Sequence, residues 1–181
     1  MKYITPIAFL YFLLFANVSF AQVVPPATLS YAVSKNNYKA GDTVYLIINV
    51  KMAEGWSLYS SEFKADGPIK FNCTLSKSSN YTPAGPIEAY KPFAHFDEVW
   101  EEEVKIFENI GQFRIPVIVK KAGKIMIKAE IEGQACKDAC APIADTIELD
   151  LSTLPVSDYI AADPAVYKHY EEHSKTEEGH K

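Results

Sequence analysis

The chain has 181 residues, of which 48% are hydrophobic, 13% aromatic and 23% charged, with a formal net charge of −5. That apolar content excludes a disordered polar chain, and the length suits one domain with a sizeable core. The mild acidity argues against nucleic acid as a partner, because phosphate binding needs a clustered basic face and the sequence offers none.

Lys2, the apolar stretch Ile7 to Phe15 and the small-x-small pattern Ser19-Phe20-Ala21 predict a cleavable export signal over 1–21, with Gln22 as the first mature residue. The apolar run is shorter than the ~20 residues that span a bilayer, so no stable membrane insertion is expected after cleavage. Pro25-Pro26 then reads as an extended lead-in, and a single domain is expected over 22–152.

From there period-two alternation dominates almost to residue 151. Val44, Leu46, Ile48, Val50 and Met52 fall on one face of a strand, as do Phe113, Ile115, Val117 and Val119, and Ile125, Ile127, Ala129 and Ile131. Pro116, unable to donate to a ladder, suggests an edge or a bulge. Turn residues such as Gly41-Asp42, Glu54-Gly55, Asp66-Gly67-Pro68, Asn109-Ile110-Gly111 and Ala122-Gly123 punctuate eight or nine strands. These run over roughly 28–34, 43–53, 56–60, 68–75, 86–91, 98–107, 111–119, 124–132 and 145–151. Many short one-sided strands without a long amphipathic helix predict an all-β, immunoglobulin-like sandwich, with a small closed barrel as the alternative.

After Leu151 the alternation stops, and Asp163-Pro164 opens a helix-permissive segment, Ala165 to Lys175, within a C-terminal extension over 153–181. His169, His173 and His180 lie in that extension, but no cysteine or carboxylate pattern around them implies a metal site.

Three cysteines are too few for a disulfide scaffold and need individual readings. Cys73 alternates with Ile69, Phe71 and Leu75 on one apolar face and reads as a core thiol. Asn72-Cys73-Thr74 and Asn80-Tyr81-Thr82 fit the glycosylation pattern, which matters only in a host that performs it. Trp56 and Tyr59, flanking a turn, read as core packing, and Glu101-Glu102-Glu103 as a solvated face.

Cys136 and Cys140 lie in Gly133-Gln134-Ala135-Cys136-Lys137-Asp138-Ala139-Cys140-Ala141-Pro142, placed by the strand ranges in a connection between two sheet elements. A bond between them is feasible in a helical turn or tight loop. As a staple it would contribute only about 2 kcal/mol. An accessible loop with Lys137 beside Cys136 favours thiolate chemistry, whereas Asp138 opposes it, and a passive clamp remains equally open on spacing alone. A metal role for the pair with His95 lacks a fourth ligand, and no cofactor or metal is expected.

Four stretches together carry a resemblance: Ala53-Glu54-Gly55-Trp56-Ser57-Leu58-Tyr59-Ser60; Phe96-Asp97-Glu98-Val99-Trp100 leading into Val104-Lys105-Ile106-Phe107; Phe113-Arg114-Ile115-Pro116-Val117; and Gly133 to Pro142. In order and spacing, over most of 28–151, they resemble the N-terminal periplasmic domain of the DsbD disulfide reductase family. The resemblance implies an immunoglobulin-like sandwich that receives electrons from a membrane-embedded domain and passes them to thioredoxin-like proteins outside the cytoplasm. It places Cys136 and Cys140 as the redox pair, with Cys140 entering the mixed disulfide and Cys136 resolving it. Asp97 and Glu98 become acids that manage protons beside the pair, and Trp100, or else Val99 or Phe96, an aromatic or apolar cap over it. Two departures accompany the match: the cysteines are closer in sequence than the family's, and only Ala141-Pro142 follows the second. With no membrane-spanning or thioredoxin-like segment in the sequence, the electron donor is expected to be a separate, DsbD-type membrane protein. The other function in view is a non-catalytic, immunoglobulin-like secreted binding module with a structural disulfide.

Overall fold

A computed structural model of the protein describes residues 25–64 and 66–157. The expected signal, the helical tail and its three histidines lie outside them. Eleven strands are found among the described residues: β1 Ala27–Val33, β2 Thr43–Met52, β3 Ser57–Tyr59, β4 Asn72–Leu75, β5 Tyr81–Pro83, β6 Glu88–Ala89, β7 Phe93–Asp97, β8 Glu102–Glu108, β9 Ile110–Val119, β10 Met126–Cys136 and β11 Cys140–Asp150. They form two sheets. One runs β1-β2-β9-β5 with β6 also on β9; the other runs β11-β10-β3-β8-β7 with β4 also on β10.

The alternating sets turn inward as a one-sided sheet requires. Val44 to Met52, Phe113 to Val119 and Ile125 to Ile131, each taken at alternate residues, are buried in one core cluster. Phe113 of β9 stacks on Phe71 at 4.0 Å between ring centroids and meets Phe107 of β8 edge-on at 5.2 Å, tying the sheets together. The single residue Asn109, at φ 62°, carries the chain from β8 in one sheet to β9 in the other. Asparagine tolerates that left-handed backbone better than most side chains.

Several expectations are corrected. The strand expected over 98–107 starts only at Glu102, as β8; residues 98–101 form a turn in which Glu101 has φ 54°, and β7 before it occupies a stretch expected to be a connection. Of the acidic run, Glu101 falls in the turn, while Glu102 and Glu103 pair with Asp97 and Phe96 of β7. Ile69 does not share the apolar face of Phe71 and Cys73: it is 48% exposed, and the strand starts only at Asn72. Pro116 lies neither at an edge nor at a bulge. β9 is paired on both sides, and the neighbour facing Pro116 breaks between β5 and β6. The carbonyl of Pro116 accepts from Ala84 N–H at 2.9 Å, so its missing donor falls where the neighbour has left the ladder.

The largest correction concerns 133–144. The expected connection is ladder: β10 and β11 pair without interruption from Met126↔Asp150 to Cys136↔Cys140. Small residues conceal this alternation. Gly133 and Ala135 continue the buried face of Ile131, and a β-carbon at Gly133 would sit 3.0 Å from the Phe71 ring. Beyond β11 the chain crosses to the other sheet, where Val33 N–H donates to Pro155 O and Ser157 N–H to Val33 O.

Candidate functional site

Cys136 and Cys140 face each other across the end of the β10–β11 hairpin and are bonded, S–S 2.01 Å, with Cα atoms 4.0 Å apart. Lys137, Asp138 and Ala139 form the connection, so the bond closes a hairpin tip rather than a helical turn. Since Ala135 points into the core, alternation places Cys136 on the outer face of the six-stranded sheet. There it packs against a second, small cluster of Tyr59, Val104 and Ile106. Cys136 is therefore half-buried, while Cys140 is exposed.

A groove of about 380 Å³ runs beside the bond. Its floor is Ser57 and Tyr59 of β3 with Ile106 and Glu108 of β8; one wall is the hairpin tip, and the other is His95, Phe96, Asp97, Glu98 and Val99. Phe96 and Val99 are 61% and 81% exposed, apolar side chains that the fold leaves beside the sulfurs. Trp100 does not line the groove itself: its indole lies over the 66–68 loop, where a β-carbon at Gly67 would overlap the ring, and its side chain hydrogen-bonds Tyr59 of the groove floor.

Asp97 organises the wall. Its Oδ2 accepts from Tyr59 Oη at 2.5 Å, and its Oδ1 from the backbone N–H of Val99 at 2.9 Å and of Trp100 at 3.2 Å. Burial by itself raises the carboxyl's pKa, but the bonds from Tyr59, Trp100 and Val99, with His95 nearby, hold it below the ordinary aspartate value. Asp97 is thus ionised at neutral pH. The same contact, together with burial, pushes the Tyr59 hydroxyl well above its usual range, burial being the larger cause. Glu98 is exposed on the groove.

Lys137 does not reach toward the sulfurs as its sequence position suggests. Its ammonium donates to Glu54 O at 3.2 Å, and its stem lies 3.0 Å from where a β-carbon of Gly55, at φ +77°, would be. The sulfur has another neighbour: Gln134 Nε2 lies 3.6 Å from Cys136 Sγ. The sequence expectation of a connection over 133–136 hides Gln134; on strand β10, its place two residues before Cys136 puts it on the same face. Cys73 is a buried free thiol in β4, and burial pushes its pKa up to about 12. Among the described residues, no three His, Cys, Asp or Glu side chains converge as a metal site.

A two-sheet immunoglobulin-like sandwich with a solvent-reachable disulfide at a hairpin tip defines the class. Residues 21–151 match the family model described as thiol:disulfide interchange protein DsbD, N-terminal, and the chain belongs to that family. Membership and the Cys136–Cys140 bond together mark it as a thiol-disulfide exchange domain. Among solved structures, it is similar to the N-terminal periplasmic domain of ScsB from Proteus mirabilis, at 14% identity and TM-score 0.50, covering 86% of this chain and 56% of that one. It is also similar to the reduced DsbD N-terminal domain of Neisseria meningitidis, at 16% identity and TM-score 0.46, covering 71% of this chain and 90% of that one. A third similar structure describes the complex between the DsbD and PilB N-terminal domains of Neisseria meningitidis, at 15% identity and TM-score 0.47, with coverage of 72% and 88%. No curated protein sequence matches the chain.

Proposed function

We propose that the protein is exported and passes reducing equivalents between a DsbD-type membrane reductase and thioredoxin-like partners outside the cytoplasm, using Cys140 as the entry sulfur and Cys136 as the resolving one. The observation that carries this reading is the unequal exposure of the two sulfurs. Cys140 is open to solvent, while Cys136 rests on the Tyr59 and Ile106 cluster, so a macromolecular thiolate approaching in line with the bond reaches Cys140 first. Attack there joins the partner's sulfur to Cys140 and leaves the electron pair on Cys136. A second thiol of the partner then resolves the mixed disulfide, reducing the pair and oxidising the partner.

In this reading Asp97, already ionised and triply bonded, joins the end of β7 that carries Phe96 to the turn that carries Glu98 and Val99, and positions both. Glu98 exchanges protons with the thiols in this reading, and Phe96 with Val99 forms the apolar contact for the partner; that all three line the groove supports these roles. A signal over 1–21, a domain over 22–152 and an extension over 153–181 complete the proposal.

The test is trapping. Cys136→Ala, with Cys140 left free, is expected to hold a mixed disulfide with a thioredoxin-like protein in the exporting compartment, and Cys140→Ala is not. No adduct from Cys136→Ala, or equal adducts from both variants, would overturn the assignment.

A further inference from the structure

We propose that Gln134 takes part in the exchange step by donating its carboxamide N–H to the Cys136 thiolate released when Cys140 is attacked. The inference rests on the pair acting as an exchange centre and adds a third participant to it.

The orientation of the amide is set by the protein. Ile69 N–H donates to Gln134 Oε1 at 3.0 Å, and since an N–H can only donate to the oxygen end, the NH₂ end faces Cys136 Sγ at 3.6 Å. The 67–69 segment that supplies this bond is itself held from outside. Gly67 lies under the Trp100 ring, Pro68 is buried, and Trp100 N–H is fixed by Asp97. The turn beside the groove and the amide at the sulfur are thus joined through residues 67–69. On the other side, Gln134 is locked in the β10–β11 ladder between buried Gly133 and Ala135.

A thiolate from a dithiol partner attacks Cys140 Sγ; one S–S bond forms, the Cys136–Cys140 bond breaks, and its electron pair remains on Cys136 Sγ. Gln134 Nε2–H then donates to a full negative charge instead of a neutral disulfide sulfur, so the contact strengthens along the reaction. In reverse, the Cys136 thiolate attacks Cys140 Sγ, remakes the bond and expels the partner's thiolate. A leaving thiol of lower pKa departs faster, and one charge-assisted hydrogen bond lowers a thiol pKa by about one unit.

Gln134→Leu and Gln134→Met both remove the donor; the second keeps the unbranched side chain and serves if the first does not fold. In the Cys140→Ala background, iodoacetamide alkylation against pH reads the Cys136 pKa, with Cys73 buried. In the intact pair, the second-order rate of reduction by dithiothreitol reads the exchange step. The expected result is a Cys136 pKa raised by about one unit and reduction slowed about threefold or more. A variant with a lowered melting temperature but unchanged Cys136 pKa and reduction rate would confine Gln134 to holding residues 67–69 and overturn the proposal. A parent disulfide that resists dithiothreitol altogether would instead overturn the exchange reading beneath it.

Discussion

Tyr59→Phe removes a single oxygen and probes how the wall beside the disulfide is held. The ring stays packed with Val104 and Ile106, while Asp97 loses its 2.5 Å bond and keeps its two backbone donors, and the Trp100 side chain loses its bond to the Tyr59 hydroxyl. A hydrogen bond to a charged group contributes about 1.5–3 kcal/mol, and partial solvent access at the turn places the loss near the lower end, about 1.5 kcal/mol. The loss depends on pH. Asp97 in the folded protein titrates below its ordinary value of 3.8, so its stabilisation is complete above that value and is lost as pH falls through the folded pKa. Urea unfolding with the disulfide intact is expected to separate parent and variant by the full amount at pH 7. The gap should narrow as the pH falls below 3.8 and through the depressed pKa of Asp97 in the folded parent. A gap under about 0.5 kcal/mol at pH 7, or one unchanged in acid, would refute the placement of this carboxylate as the organiser of the turn.

Reducing the disulfide should leave the sandwich folded, because the β10–β11 ladder extends from the sulfurs to Asp150, and should lower stability by only about 2 kcal/mol in denaturant titration. In the reduced protein, the exposed Cys140 is expected to be alkylated faster than the half-buried Cys136, read by peptide mass spectrometry after brief labelling. Cys73, buried and with its pKa pushed up to about 12, should resist maleimide at pH 8 until the protein unfolds. Phe113→Ala, which removes the ring stacked on Phe71 and edge-on to Phe107, should cost about 3–5 kcal/mol by urea unfolding.

The core was legible where alternation is written in large side chains. Val44 to Met52 and Ile125 to Ile131 needed only a period of two, and the one-sided strands led to two packed sheets. Alternation carried by Gly133 and Ala135 was invisible as hydrophobicity, because the volume on that face is supplied by Phe71 from another segment. The hairpin was therefore cut short, and Gln134 was lost with it. The turn over 98–101, where the sequence predicts strand, depends on the carboxylate of Asp97 capturing two backbone N–H groups, a local competition with the ladder that residue types alone do not decide. Lys137 shows the same limit: adjacency in sequence to Cys136 said nothing of the Glu54 carbonyl that holds its ammonium.

The reduction potential of the Cys136–Cys140 pair, measured by equilibration against a series of glutathione buffers, tests most directly whether this bond is made to open. The expected potential lies above about −300 mV and is reached by rapid exchange. A value well below that, with the bond intact throughout the series, would make the hairpin tip a permanent clamp and contradict the exchange reading.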